Sequence, residues 1–335
     1  MPYTRSTVLL TGATGVIGSR LITALTDRHH VIALIHRRQS EGTHTCVTGD
    51  LTADRLGLDT GQYRELAHNT DVIVHCGGQT DFAQHTLDTF DEVNADGTRR
   101  IMELARAAGA PVLLLSSMAA VMEVEGDDLT ARSLRAYAQS KRRAEEAAAS
   151  THPVAIVRCP TLFAPRNSID TPAHQFPHIW FRALLRGQGR NLPVSPDHWC
   201  DVIPLETLVA YLSALTDALL NGEDDATGLH WAMAGPARLT AGELARVCTE
   251  FLAEVGLPAG DPILADPTST RTRFTGMGRL AQLSLQAPQQ PPYPSDLDRY
   301  LPHPLTLAVI LDALHHNLRL TAAAQPIPAA TASGR

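Results

Sequence analysis

Thr7-Val8-Leu9-Leu10-Thr11-Gly12-Ala13-Thr14-Gly15-Val16-Ile17-Gly18 is an apolar, β-rich run that breaks into glycines spaced G-x-x-G-x-x-G, and a helix-like stretch, Ser19–Leu25, follows it. A strand end that must turn sharply needs a positive φ, which Gly12 supplies. Gly15 removes a side chain where a ligand's pyrophosphate has to approach the backbone, and Gly18 lets the helix pack closely on the strand. The helix N-terminus then presents unpaired N–H groups and a positive dipole end to phosphate. Three glycines alone are a weak signal. Between a strand and a helix they mark a dinucleotide site, made by Gly12, Thr14, Gly15, Val16, Ile17 and Gly18.

The next apolar run, His30–Ile35, ends in His36-Arg37-Arg38. Dinucleotide folds that prefer NAD place an acidic residue here for the adenosine ribose hydroxyls, whereas basic residues suit the 2′-phosphate of NADP. Arg37 is the first candidate, with His36 and Arg38 beside it. NADPH is therefore the expected cofactor and NAD the less favoured one, against the plain alternative of a solvated basic strand end.

Cys46–Leu51 reads as a third strand with Asp50 at its end, followed by a helix over Tyr63–Asn69 and a strand, Asp71–Cys76, that runs into Gly77-Gly78. A helix over Phe90–Ala108 stops at Gly109, Pro111–Leu115 leads to Ser116-Ser117, and a helix over Leu134–Ser150 precedes the strand Val154–Arg158. Strands alternating with helices across short connections predict an α/β fold, a Rossmann-type doubly wound parallel sheet. Ligands in such sheets sit at the carboxyl ends of strands, where Gly12, Asp50, Gly77, Ser117 and Pro160 all fall. After Cys159 proline and glycine become frequent. Helical stretches (His178–Leu185, Leu205–Leu220, Ala241–Val255, Leu305–Leu320) alternate with irregular ones, and Pro288–Pro294 is a proline-rich connector. The expected organisation is a dinucleotide-binding domain over 1–160 with a returning segment around 199–220, a smaller, mostly helical C-terminal substrate-binding region over 161–320, and a mobile tail over 321–335.

With 335 residues, a net charge of -7 and 44% hydrophobic residues, the composition is that of a globular protein with ample core. The negative charge argues against a nucleic-acid or anionic-membrane partner. No apolar run reaches the ~20 residues of a membrane span, and no basic-then-apolar leader precedes the first strand, so a cytoplasmic location is expected. The five cysteines (Cys46, Cys76, Cys159, Cys200, Cys248) are scattered and read as buried free thiols. His174 and His178, His29-His30 and His315-His316 lack a nearby acidic or cysteine cluster and read as surface histidines, so no metal is expected.

Tyr137-Ala138-Gln139-Ser140-Lys141 sets a phenol and an ammonium on one helix face. A neighbouring positive charge is expected to lower the phenol's pKa toward the working pH, so that Tyr137 exchanges a proton with a carbonyl oxygen as hydride moves. Lys141 is also expected to reach the nicotinamide ribose. Ser117, at the preceding strand end, is placed to hydrogen-bond the same oxygen. Tyr-x-x-x-Lys by itself is common on amphipathic helices; the order phosphate loop, strand-end Ser, then Tyr and Lys carries the assignment.

These stretches together resemble the extended short-chain dehydrogenase/reductase (SDR) family. The likeness runs through Thr11–Gly18, Gly49-Asp50-Leu51, His75–Gly78, Asn94-x-x-Gly97-Thr98, Ser116-Ser117, Tyr137–Lys141 with Glu145, Arg158-x-Pro160 and Asp201–Glu206. The resemblance implies that Ser117, Tyr137 and Lys141 are catalytic and that Asp50 and Leu51 cradle the adenine. It implies further that Cys76, Gly77, Gly78, Ser116 and Pro160–Leu162, with Leu162 itself, line the cofactor beside Tyr137 and Lys141. Asn94 takes the family's helix position near the active site. Gly49–Leu51, Leu56-Gly57-Leu58, Tyr63-x-x-Leu66 and Asp71–Phe82 are similar to the thioester reductase domains of polyketide and peptide synthases, although Gly77-Gly78 replaces their usual alanine pair.

The implied function is an NADPH-dependent reductase delivering hydride to a carbonyl-level carbon (ketone, aldehyde or acyl thioester) of a specialised-metabolism intermediate, free or carrier-bound. The alternatives are a nucleotide-sugar epimerase or dehydratase with tightly bound NAD, and a dinucleotide-sensing module without catalysis. A homodimer is expected by resemblance.

Overall fold

A computed structural model describes residues 5–37, 42–80, 87–149, 153–164, 176–188, 190–257, 262–266, 279, 283 and 293–324. The first half alternates strand and helix as the apolar runs dictate. Strands β1 (Thr7–Thr11), β2 (His30–Ile35), β3 (Thr45–Thr48), β4 (Val72–His75), β5 (Val112–Ser117) and β6 (Val154–Cys159) are separated by helices α1 (Gly18–Thr26), α2 (Thr60–His68), α3 (Leu87–Ala108) and α4 (Leu129–Ala149). The second half carries the short strands β7 (Thr161–Phe163), β8 (Leu192–Pro193), β9 (Trp199–Cys200), β10 (Val202–Pro204), β11 (Gly228–Trp231), β12 (Leu239–Thr240) and β13 (Leu264–Ala265). Its helices are α5 (Phe176–Leu185), α6 (Leu205–Leu220), α7 (Ala241–Glu254), α8 (Leu297–Tyr300) and α9 (Leu307–Ala323).

Seven of these strands form one parallel sheet in the order β11-β6-β5-β4-β1-β2-β3. Strand side chains alternate between faces, and the core divides accordingly. Val8, Leu10, Val31, Ala33, Val72 and Val74 enter the cluster shared with Leu21 and Leu25 of α1 and Leu208 and Leu212 of α6. Leu9, Ile32, Leu34 and Ile73 enter the opposite cluster, with Leu66 of α2 and Ile101 and Leu104 of α3. Both faces are covered, which is why these strands read as continuous apolar runs. The chain runs outward from β1 through β2 to β3, then crosses back to β4 and proceeds the other way. The carboxyl ends of β1 and β4 thus flank the point where strand order reverses, the place where such sheets bind ligands.

Several boundaries differ from the sequence reading. Helix α2 starts at Thr60 because Asp59 and Gln62 form a capping box. Helix α4 starts at Leu129, where Asp128 accepts the Ala131 N–H at 3.1 Å. The strand that returns to the sheet is β11, pairing in parallel with β6; Gly-Leu-His-Trp has no apolar run to announce it. Residues 199–220 supply β9, β10 and α6, and α6 packs on α1, with His29 hydrogen-bonding Asp217 at 2.7 Å.

The expected mobile tail begins too early, since α9 continues to Ala323 with Thr321 buried. His178 is not a surface residue either: it is fully buried and hydrogen-bonds the Thr321 hydroxyl at 3.0 Å. Among the cysteines, Cys46 is exposed rather than buried. His174 and most of the proline-rich connector lie outside the described residues. No described helix is long and apolar enough to cross a membrane.

Asn317 joins α9 to the strand leaving the active region. Its Oδ1 accepts the Ala164 N–H at 2.8 Å, and its Nδ2 donates to the Ala164 carbonyl at 3.1 Å. Asn317→Ala leaves both buried backbone groups without that partner and should lower the unfolding free energy by about 2–4 kcal/mol. Urea denaturation measures this, and an unchanged midpoint would show that the clamp contributes nothing.

Candidate active site

The glycine turn closes on β4. Gly12 has φ +71, and a Cβ there would stand 2.7 Å from the Cys76 carbonyl and the Gly77 nitrogen. Gly15 is different, because its Cβ would approach only the Gly12 oxygen, at 3.2 Å. The fold therefore requires the first glycine, whereas the second, over the start of α1, meets this single tight contact. That helix has no side-chain cap and no acidic residue in its first turn, and the Val16 and Ile17 N–H groups have no partner among the described residues. An open cradle ringed by backbone donors at a helix N-terminus fits a pyrophosphate, so the residues present suit a dinucleotide.

At the carboxyl ends of β2 and β3, His36 stands 3.5 Å from the Asp50 carboxylate, and both His36 and Arg37 are exposed. Hydrogen bonds from the Thr52 N–H and hydroxyl, both 2.8 Å, hold Asp50. The Thr52 N–H lowers its pKa most, with the Thr52 hydroxyl, His36 and Arg37 adding to that against burial. Behind Asp50 the chain makes a left-handed turn, Arg55 (φ +50), Leu56 (φ +58), Gly57 (φ +73), whose Leu56 carbonyl accepts the Asp50 N–H at 2.8 Å. Two non-glycine residues in that region are strained backbone retained where it fixes the adenine-side loop. Arg100 donates to the Leu51 carbonyl at 3.1 Å. Arg38 lies outside the described residues.

Ser117, Tyr137 and Lys141 come together where β5 meets α4, on the wall of a cavity of about 350 Å³. Ser117 accepts the Ala119 N–H at 3.2 Å and hydrogen-bonds the Tyr137 phenol. The Phe90 ring meets Tyr137 edge-on at 5.7 Å. Lys141 donates to the Leu115 carbonyl at 2.9 Å. The expected lowering of the Tyr137 pKa by Lys141 does not occur. Burial raises the phenol well above its ordinary value, Cys159 adds to that, and only the Ser117 hydrogen bond opposes it. Burial also depresses the Lys141 ammonium, against Cys159, Glu145 and Cys76. Lys141 is not among the causes that shift the phenol, desolvation is the largest of them, and Tyr137 is held as the protonated phenol.

Two buried polar networks, unread in the sequence, fix these groups. His75 receives the Thr11 hydroxyl at Nδ1 (2.6 Å) and faces Thr98 Oγ1 from Nε2 (3.2 Å). Thr98 donates its proton to the Asn94 carbonyl at 2.6 Å, so it must accept from Nε2–H. Thr11 in turn accepts the Gly77 N–H at 3.0 Å. Each donor thereby has a fixed direction, and burial pushes His75 down to about 3, keeping it neutral. Asn94 accepts the Gln79 N–H at 2.7 Å and donates to Ser140 at 2.9 Å, while Ser140 donates to the Tyr137 carbonyl at 2.8 Å. The Gly77-Gly78 pair follows from this packing: a Cβ at Gly78 would lie 2.9 Å from Asn94 Oδ1.

The second network centres on Glu145, which accepts Ser116 Oγ at 2.5 Å and both Nε (2.9 Å) and Nη2 (2.6 Å) of Arg158. It pins α4 to the sheet one turn beyond Lys141.

Ile17, Cys76, Gly78, Ser116, Pro160 and Leu162 share the cavity wall with Ser117, Tyr137 and Lys141. Burial raises the Cys76 thiol to about 12 and the Cys159 thiol to about 11, so neither is a nucleophile near neutrality. Much of the remaining lining is apolar, including Met118, Met122, Phe163, Trp180, Phe181 and Leu244, with Thr80 and Thr161 beside them. Asp201 also lines it. The sequence offered no pattern that assembles these residues, which come from separate segments.

A family model described as NAD dependent epimerase/dehydratase family matches residues 8–208. The chain is similar to a ceramide reductase of Caulobacter vibrioides, 38% identical over 171 residues, which cover 49% of each protein. It is also similar to a hybrid PKS-NRPS synthetase, gkaA, of Penicillium citrinum, 31% identical over 40% of this chain and 4% of that protein. The chain thus matches about half of one of these relatives and a small part of the other. Among solved structures, the reductase (R) domain of a nonribosomal peptide synthetase from Mycobacterium tuberculosis superposes with TM-score 0.65 at 18% identity, covering 94% of this chain and 92% of that one. A UDP-glucuronic acid 4-epimerase from Bacillus cereus, in complex with UDP-glucuronic acid and NAD, superposes with TM-score 0.62 at 16% identity, covering 95% and 100%. At these identities the superpositions establish the fold.

The two glycines of the turn should respond differently to alanine. Gly15→Ala should keep the wild-type melting temperature within a few degrees while weakening dinucleotide binding roughly tenfold or more, whereas Gly12→Ala should lose several kcal/mol of stability because backbone has to move. Thermal melts with and without dinucleotide separate the two; equal destabilisation would refute the division of roles.

Proposed function

The chain belongs to the NAD dependent epimerase/dehydratase family, and from that premise we propose that it is an NADPH-dependent reductase of a carbonyl-level carbon on an apolar substrate. The observation that carries the proposal is the setting of Ser117, Tyr137 and Lys141. They open onto a cavity whose described lining is mostly apolar and holds one cation, Lys141 itself. A nucleotide sugar brings a diphosphate that needs several cationic or N–H partners, and among the described residues of this wall Lys141 is the one cationic side chain. The similarity to a ceramide reductase and to synthetase segments favours the same direction.

The residues divide the work simply. The open end of α1 and the Gly15 cradle receive the pyrophosphate, Asp50 and Leu51 the adenine, and Arg37 with His36 the 2′-phosphate. Bound there, a reduced nicotinamide dinucleotide supplies the hydride. Ser117 hydrogen-bonds the substrate's carbonyl oxygen and steadies charge as it grows there. Tyr137, kept protonated by burial, donates its proton to that oxygen as the carbon accepts two electrons. Lys141, held by the Leu115 carbonyl, supplies positive potential behind the phenolate that results. A raised phenol pKa suits reduction, which begins from the acid form. The apolar walls exclude water, so the oxygen takes its proton from Tyr137.

Tyr137→Phe should lower kcat by roughly 10²–10⁴-fold with NADPH affinity nearly kept, read by loss of absorbance at the reduced nicotinamide band against ketone, aldehyde and acyl thioester substrates. Unchanged turnover would sink the assignment of the acid. Interconversion of a nucleotide sugar without net nicotinamide oxidation would establish the epimerase alternative.

Arg37→Ala should raise the KM for NADPH roughly 10–100-fold, the worth of one charge-assisted hydrogen bond, and leave NADH nearly unaffected. Equal loss for both cofactors would remove the 2′-phosphate role.

A further inference from the structure

Asp201 is a buried carboxylate that the reductase chemistry leaves unused. It is 7% exposed and lines the same cavity as Tyr137. Its Oδ1 accepts the Ala234 N–H at 2.8 Å, while its Oδ2 has no hydrogen-bond partner among the described residues. Arg238 does not close on it: that guanidinium lies 4.0 Å over the Trp199 ring and donates to the Gly235 carbonyl at 2.9 Å. Burial raises the carboxyl to about 6, against the Ala234 N–H and Arg238. Cys200, beside it, and Tyr293, whose pKa it helps raise, carry no charge near neutrality. Capping one backbone N–H needs no charge, since asparagine or serine would do it. A buried anion with an idle oxygen is costly unless something donates to it.

The cavity lining therefore joins two sets of polar groups from separate segments: Ser117, Tyr137 and Lys141 from β5 and α4, and Asp201 from the junction of β9 and β10, with Trp180, Phe181 and Leu244 in the same wall. Resting on the reductase reading, we propose that Asp201 binds a hydrogen-bond donor of the substrate, a hydroxyl or amide N–H, so that the substrate is an apolar-chain carbonyl compound that also carries such a donor. The apolar wall accommodates the chain, and the carboxylate fixes which end of the molecule faces Tyr137. A plain long-chain ketone or aldehyde fills the cavity but leaves Asp201 unmet and binds without a fixed orientation.

The test compares a medium-chain methyl ketone with the set of its monohydroxylated isomers of the same chain length. In the wild-type protein at least one isomer should exceed the parent ketone in kcat/KM by roughly tenfold, the value of a hydrogen bond to a charged acceptor, mostly through KM. In Asp201→Asn, which keeps an acceptor for the Ala234 N–H, the ratio between that isomer and the parent should collapse to about one. Binding of the same compounds, followed by quenching of tryptophan fluorescence from Trp180 in the cavity wall, reads the preference without turnover. No turnover of any ketone with a clear binding preference for one isomer would overturn the reductase reading and keep this one. Equal binding of all isomers by the wild type, or a preference that survives in Asp201→Asn, would overturn the role of Asp201. The wild-type comparison decides even if the variant does not fold.

Discussion

One uncharged imidazole holds the active region together. His75 ends β4 inside the protein and joins β1 through Thr11 to α3 through Thr98. Because both threonine hydroxyls have a second, directional partner, the ring has only one tautomer that satisfies all of them. The chain of donors starts at the Gly77 N–H, on the cofactor side, and ends at the Asn94 carbonyl, whose own side chain steadies Gln79 and Ser140. Gly77, the adjoining glycine turn and the helix bearing Tyr137 thus share one set of hydrogen bonds. A protonated His75 would present two donors to Thr11 and Thr98, and Thr11 would lose its acceptor. Its depressed pKa is the condition under which strand ends, turn and catalytic helix keep their positions.

Burial governs the rest of the chemistry as well. It raises the Tyr137 phenol and depresses the Lys141 ammonium. It raises the thiols of Cys76 and Cys159 and so removes the other nucleophiles from contention. Glu145 and Arg158 meet nearby in a two-point contact, with Arg158 lying 4.7 Å over Trp231.

Much of the architecture was legible because the sheet is covered on both faces: Val8–Leu10, Val31–Ala33 and Val72–Val74 must be apolar throughout, and such runs are conspicuous. Helix α6 appears at Leu205–Leu220, as its apolar run suggested. The ends of α2 and α4 were harder, since they are set by the side chains of Asp59 and Asp128 rather than by periodicity. The turn, Ser117, Tyr137 and Lys141 could be named because each belongs to a local pattern with a chemical reason. His75, Glu145 and Arg158 could be quoted but given no role, because their meaning lies in partners far along the chain. The sign of the Tyr137 shift was misjudged for a related reason: helix spacing shows that Lys141 is near, whereas desolvation depends on everything packed around both. His178 looked like a surface residue until α9 was seen to bury it.

The clamp between Asn317 and Ala164 also orders events in time. Protein synthesis proceeds from the glycine turn toward α9, and β7, which it secures, lies immediately after the strand that ends at Cys159. The strands that surround the dinucleotide turn are all made before the residue that fastens the substrate wall, and Thr321, the partner of His178, is made later still. A nascent chain therefore has every strand around the glycine turn in hand before Asn317 is made to fasten Ala164, and the far wall of the cavity depends on residues that arrive last.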